Sequence, residues 1–203
     1  MANIGILAYG SLINDPGLEI QSATINRIDN IFTPFHVEFA RMSSKRDGAP
    51  TLVPVDSGGN HIRAVIFIID DRVSTREASD ILWRRETHQT DRNKGYLPDI
   101  TNKNQVWIKR LDRSFGLDIV LYTWIEANIN PLNSKKLAEL AISSARKDAG
   151  GGEDGISYLI AAKNIGIVTP LMIDYENEIF KILKVSTLED AHRLLRTPVD
   201  KNM

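Results

Sequence analysis

Two groups of residues in this chain have the types that proton transfer on a small polar substrate needs. The first is Tyr9-Gly10-Ser11-Leu12, directly after the apolar run Ile4 to Ala8. That run is short and bounded by turn-prone residues, which predicts a buried strand. Gly10 lacks a Cβ, so the backbone at the strand end can turn sharply or approach a ligand closely. Successive N–H groups at such a bend can form a concavity for an anion. An ordinary strand ending in a turn accounts for the same residues. The second group centres on Glu86, within Ile81-Leu82-Trp83-Arg84-Arg85-Glu86-Thr87, a segment of helical apolar spacing that follows the strong strand Ala64 to Ile69. Ser74 followed three residues later by Glu77 is a capping box and sets the helix start, which puts Glu86 near the C-terminus. The negative end of the helix dipole disfavours a carboxylate there by up to about 1 kcal/mol. The carboxyl pKa should rise, as a general base requires. Arg84 and Arg85 oppose that rise if they face Glu86. A single Glu near a helix end is ordinarily just solvated.

Taken together, Tyr9-Gly10-Ser11-Leu12 after the first strand and Glu86 after a later strand and helix resemble the gamma-glutamylcyclotransferase-like family. The resemblance covers the first half of the chain well and the second half loosely. It implies that Tyr9 to Leu12 form the loop holding a gamma-glutamyl moiety and that Glu86 is the acid/base. It also implies release of 5-oxoproline from a small gamma-glutamyl amine or peptide, without cofactor. Similar members carry a tyrosine several residues beyond the glutamate, a place Tyr96 takes here, although a half-buried structural tyrosine fits as well. Arg41 and Ser43, with Arg46 nearby, flank a polar loop and could neutralise a substrate carboxylate; a solvated loop is the plainer reading. Tyr158 is a weaker candidate. In the family the glutamate is often followed by glycine, whereas Thr87 follows here, and the part from Pro131 onward is longer than the minimal fold requires. Two other readings keep the same pocket: a non-catalytic ligand-binding or interaction protein, and a gamma-glutamyl amide transferase or hydrolase.

The totals narrow the field. With 25 basic and 26 acidic residues the formal charge is −1, so no excess positive field favours nucleic acid or an anionic membrane. No cysteine is present, which removes disulfides, thiolate nucleophiles and cysteine metal sites and suits a reducing cytosol. His36, His61, His88 and His192 are scattered, with no spacing that would gather three or four zinc ligands. The triglycine tract Gly150 to Gly152 lacks the Lys-Ser/Thr ending of a phosphate loop. No Gly-x-Ser-x-Gly elbow marks a serine nucleophile. No basic stretch followed by an apolar core opens the chain, and no apolar run approaches the roughly 20 residues that span a bilayer. The expectation is a soluble cytoplasmic protein with no metal, cofactor, nucleic acid or membrane partner. The sequence sets no oligomeric state.

At 203 residues the chain is long enough for a substantial core, and it reads as one domain in which 131–203 is a C-terminal helical extension. Leu18 to Ile31 fits neither helix nor strand cleanly. Phe35, Val37 and Phe39 alternate on one face of a half-buried strand, and Thr51 to Val55 is a short strand at an edge or a bulge because Pro54 cannot donate to a ladder. The turn Asp56 to Asn60 leads into His61 to Ile69, apolar on both faces from Ala64 and so central in a sheet. Gln105 to Leu111 and Leu117 to Ile125 read as an edge strand and a more central one. Pro131 to Lys147, Ile156 to Gly166 and Glu189 to Arg196 read as helices, and Thr169 to Tyr175 as extended. Gly150 to Gly155 is expected to be a loop ending the first of these helices, and a polar tail starts at Pro198. The fold class is therefore α+β, and the resemblance implies a mixed, barrel-like β-sheet with flanking helices.

Overall fold

A computed structural model describes residues 2–102, 104–147 and 153–196. Gly150 to Gly152 and the tail from Pro198 lie outside the described residues. The chain divides into two compact units, each built from two chain segments: 1–34 with 62–126, and 35–61 with 127–203. The α+β class holds, with six α-helices among the described residues.

The first unit is a mixed five-stranded sheet with two helices. Its strands are β1 (Ile4–Tyr9), β2 (Thr24–Phe32), β5 (Arg63–Ile69), β6 (Trp107–Ser114) and β7 (Leu117–Trp124), in the order β2-β5-β1-β7-β6. β1 runs antiparallel to β5 on one side and parallel to β7 on the other. A strand so placed is covered on both faces, which is why Ile4 to Ala8 is an unbroken apolar run and buried throughout. Gly5 fits that crowding, since a Cβ there would come within 2.6 Å of Ile66 Cγ2 and 2.7 Å of Leu117 Cδ1. The stretch that fits neither pattern is a seven-residue helix, α1 (Gly17–Ala23), running directly into β2. β2 is an edge strand with most residues exposed, so neither element carries a long apolar period.

Helix α2 (Thr75–Thr87) follows β5 after a short turn. The Ser74 hydroxyl accepts the Glu77 N–H at 3.2 Å, the expected cap, worth about 1 kcal/mol. His88 closes the other end in the left-handed region, at φ 54°. Ala78, Ile81 and Leu82 form the buried stripe.

The second unit contains a two-stranded antiparallel sheet of β3 (His36–Ser43) and β4 (Ala49–Val55) and four helices: α3 (Ser134–Lys147), α4 (Gly155–Asn164), α5 (Met172–Leu183) and α6 (Leu188–Arg196). The sheet does not close into the expected barrel. β5 is already paired with β1 and β2, which leaves it no free edge for β3 or β4, and β2 and β6 remain as the two edges of the larger sheet. α3, α4 and α6 were legible from their spacing. Thr169 to Tyr175 was not: it forms a turn and then the first residues of α5.

The switch from turn to helix has a cause in Glu38, which is fully buried on β3. Its Oε1 accepts from the Phe39 N–H at 2.8 Å and the Thr169 hydroxyl at 2.6 Å, and its Oε2 accepts from the Leu171 N–H at 3.1 Å. A carboxylate from a distant strand thus satisfies donors at the head of α5 that the helix itself leaves open. Burial nevertheless pushes the Glu38 carboxyl above the usual range, with the Thr169, Phe39 and Leu171 donors opposing it.

At the head of α4, Asp154 accepts from the Ile156 and Ser157 N–H groups at 2.7 and 3.0 Å. Its other oxygen lies 3.2 Å from His192 Nε2 on α6. Nearby, Tyr175 and Tyr158 pack edge-on against Phe39, with centroids at 5.6 and 6.1 Å. The Tyr175 hydroxyl is buried and makes no hydrogen bond among the described residues, and burial pushes the phenol far up, helped by the Asp154 charge. An unpaired buried hydroxyl costs roughly 1–3 kcal/mol. Tyr175→Phe is therefore expected to leave the thermal midpoint unchanged or raise it; a clear drop in a melting experiment would show that the hydroxyl has a partner.

Candidate functional site

β1 delivers its C-terminal end to the site. Gly10–Ile13 forms a single 3-10 turn beginning at Gly10, whose φ of 60° lies in the left-handed region that favours glycine. Gly10 and Leu12 are buried, while Ser11 is exposed. The first N–H groups of such a turn have no partner within it. The Tyr9 hydroxyl donates to the Thr123 carbonyl on β7 at 2.9 Å, which fixes the ring against the sheet.

Glu86 stands in the last turn of α2, as its spacing predicts, with its side chain 25% exposed. Burial pushes its carboxyl above the usual carboxylate range, the Arg85 guanidinium pulls it back, and the Asp15 carboxylate adds to the rise. The two neighbouring arginines part company here. Arg84 turns away from Glu86 and holds Glu19 of α1 through a two-pronged contact, Nε to Oε1 at 3.0 Å and Nη2 to Oε2 at 2.7 Å. Its Nη1 donates to the Lys94 carbonyl at 2.9 Å. The pairing lowers the Glu19 carboxyl and raises Arg84. Arg84 is therefore a tie between α1, α2 and the loop beyond, and leaves the Glu86 charge alone.

Arg85 does face Glu86. Its Nη1 donates to Glu86 Oε1 at 3.3 Å, while Nε and Nη2 donate to the Asp15 carbonyl at 2.8 and 2.6 Å. Nη2 also lies 3.3 Å from Asp15 Oδ2. Gly17, at φ +76°, passes close beneath: a Cβ there would come within 3.3 Å of Arg85 Cδ. The segment that leaves the Gly10–Ile13 turn is thus bound directly to the helix end bearing Glu86. The sequence held Asp15 in a dense turn signal, Asn14-Asp15-Pro16-Gly17, and nothing in that pattern marked it as a partner of α2.

Tyr96 is buried in the same unit. Its N–H donates to Asp80 Oδ1 at 2.7 Å, and Gly95 before it lies close beneath that carboxylate, where a Cβ would come within 2.8 Å of Oδ1 and displace the side chain. Asp80 lies in the middle of α2, so this contact pins the loop after the helix. Thr87 donates its hydroxyl to the Trp83 carbonyl at 2.7 Å and closes the last turn.

Tyr9, Gly10, Ser11, Leu12, Glu86 and Tyr96 fall in the first unit; Arg41 and Ser43 fall in the second. The first unit's site is built without those two. Arg41 lies at the β3 bulge, its carbonyl accepting the Thr51 hydroxyl at 3.1 Å, and Ser43 pairs with Ala49 at the strand end. Arg46 lies over the Tyr158 ring at 4.9 Å and donates to the Glu153 carbonyl at 3.0 Å, while its own carbonyl accepts from Ser144. These contacts explain Arg46 and Tyr158 as packing.

The second unit also holds a cavity of about 240 Å³ among α4, α5 and α6, lined in part by Lys163, Glu176, Phe180 and Thr187. Lys163 and Glu176 are paired with each other, and the volume is below that of ordinary ligand pockets, about 300–1,000 Å³. Among the described residues no group of three or more His, Asp or Glu is placed to hold a metal ion, and no helix is long and apolar enough to cross a membrane. Compared with protein-family models and with curated proteins, the chain matches none.

Proposed function

We propose that this chain is a gamma-glutamylcyclotransferase-like enzyme, cytoplasmic and cofactor-independent, that releases 5-oxoproline from a small gamma-glutamyl amine or peptide. The same reading takes its first unit as a variant of that family's fold. The observation that carries it is Glu86: a mostly buried carboxyl, raised by burial, on a helix end that Arg85 ties to the segment following Gly10–Ile13.

The chemistry asks little of the protein. The substrate brings its own nucleophile, an α-amine already within reach of its γ-carbonyl, so closure to a five-membered lactam gains from effective molarity. Glu86 as carboxylate takes a proton from the α-ammonium. The freed amine attacks the γ-carbonyl carbon, and charge gathers on the carbonyl oxygen. The N–H groups at Gly10 to Leu12 are the donors suited to hold it. As the tetrahedral intermediate collapses, the bond to the departing nitrogen breaks and Glu86 returns the proton to that nitrogen. The ring nitrogen still carries a second proton after attack; the regenerated Glu86 carboxylate takes it and passes it to the released amine, which leaves as an ammonium, so that protons and charge balance over the cycle. A carboxyl with a raised pKa suits both halves, because it must give up the proton it has just accepted.

The test is incubation of the full chain with a panel of gamma-glutamyl amines and peptides, followed by mass spectrometry for 5-oxoproline. Product with at least one member is expected. A panel without product, together with ligand binding, would replace this reading by the non-catalytic one. Release of free glutamate in place of the lactam would point to an amide hydrolase.

A further inference from the structure

We propose that Arg85 is a positioning residue of this site, tethered by the Asp15 carbonyl so that its guanidinium reaches Glu86 with one long arm and cannot close on it. The proposal rests on the cyclotransferase reading for its purpose but not for its geometry. Arginine carries five N–H donors in a rigid fork, and its strongest contact with a carboxylate uses two of them in parallel. Arg84 shows that geometry in this molecule, gripping Glu19 at 3.0 and 2.7 Å. Arg85, one residue on, does not. Its Nε and Nη2 both donate to the Asp15 carbonyl, at 2.8 and 2.6 Å, Nη2 also reaches Asp15 Oδ2 at 3.3 Å, and Nη1 is left for Glu86, at 3.3 Å.

The difference has a chemical consequence. A carboxylate held by both prongs of a buried guanidinium stays ionised and gives its lone pairs to the arginine. It is a poor base. A carboxyl with no cation nearby, mostly buried at a helix C-terminus, would ionise less readily. Arg85 in its tethered position lies between these limits. It keeps a positive charge beside Glu86, yet among the described residues its hydrogen bond to the carboxyl goes to Oε1 alone.

The charges that face Glu86 are few. α2 packs against α1, β1, β6 and β7. On α1, Glu19 is taken by Arg84. β1 carries no charged residue. On β7, Asp118 accepts the Asn3 N–H. β6 carries Lys109 over Trp107, the Arg110–Asp112 pair, and Arg113. The groups that act on the Glu86 carboxyl are Arg85 on its own helix and Asp15 on the facing loop, with opposite signs. Asp15 is 76% exposed, so its effect is softened by solvent.

The experiment reads Glu86 directly, by carboxyl-carbon NMR on the full chain labelled at glutamate side chains, with Glu86→Gln assigning the signal. In Arg85→Gln the titration midpoint is expected to rise by roughly 1 pH unit, the lower end of the effect of a close opposite charge and equal to about a tenfold change in ionised fraction. Arg85→Lys keeps the charge but cannot span both partners, and its midpoint should rise by less. In the unaltered protein the Arg85 Nε–H should be protected from exchange with water and should shift as Glu86 titrates. This last measurement needs no variant to fold. An unmoved midpoint in either folded variant, or an Nε–H that exchanges freely and ignores Glu86, overturns the proposal. Failure of the cyclotransferase reading is a separate result: it shows as a panel without 5-oxoproline and leaves these titrations readable.

Discussion

Glu86→Gln is expected to lower 5-oxoproline release about 10²–10⁴-fold, the usual contribution of a positioned general acid/base, while substrate affinity stays near its starting value. Glutamine has the shape of glutamate but can neither accept the ammonium proton nor return one to the leaving nitrogen. The loss should therefore fall on kcat and not on binding. The pH profile gives a second check on the same residue. The base form is the carboxylate, so activity should fall as pH is lowered through the Glu86 midpoint, and burial sets that midpoint above the ordinary glutamate value of 4.5. Stability runs the other way. A carboxyl whose folded value is raised contributes stability that is fully present below its unfolded value and is lost as pH rises through the folded one. Glu86→Gln should therefore melt no lower than the unaltered protein at neutral pH. A folded Glu86→Gln variant that keeps its turnover would remove Glu86 from the mechanism.

The second large effect lies in the other unit. Glu38→Ala is expected to cost about 3 kcal/mol, because it leaves two buried donors and a half-buried one without an acceptor and each unpaired buried donor costs about 1–3 kcal/mol. Removal of a carboxyl buried at a desolvation cost returns part of that sum. The donors are the Phe39 N–H, the Thr169 hydroxyl and the Leu171 N–H. Chemical denaturation followed across pH separates the two contributions. Burial raises the folded Glu38 value, so the advantage of the unaltered protein should be largest below the unfolded value of 4.5 and should narrow as pH rises through the folded one. A deficit that widens with rising pH would mean that hydrogen bonding outweighs desolvation at this carboxylate.

Glu38 also shows where sequence reading stops. On β3 it occupies the alternate face from Val37 and Phe39, the face that period-two logic assigns to solvent. The strand is buried on both faces from Val37 to Ala40, and the partner that makes this tolerable, the Thr169–Leu171 turn, lies more than a hundred residues away. The same long-range contact misled the reading of Thr169 to Tyr175 as extended. Where the signal is local, the reading held. The Ser74 cap, the position of Glu86 in the last turn of α2 and the central placement of Ala64 to Ile69 all follow from residues within a dozen positions. The two arginines fall between these cases. Their proximity to Glu86 was visible, but their opposite roles depend on Glu19 and Asp15, which meet α2 only in the folded chain. The barrel failed for a topological reason: β5 takes both of its partners from the first unit, and a hydropathy pattern carries no record of partner choice.

The interleaving of the two units governs how this chain can be assembled and cut. β1 precedes both of its neighbours in the chain, β5 and β7, which begin only at Arg63 and Leu117. The sheet's middle must therefore wait for contacts of high sequence separation, the kind that slow folding. β3 and β4 emerge between those partners and wait longer still for the helices that begin at Ser134. No single cut frees either unit whole. A fragment ending at 126 retains every strand of the larger sheet but carries a β-hairpin stripped of its helices, and a fragment starting at 127 carries, among the described residues, four helices and no strand.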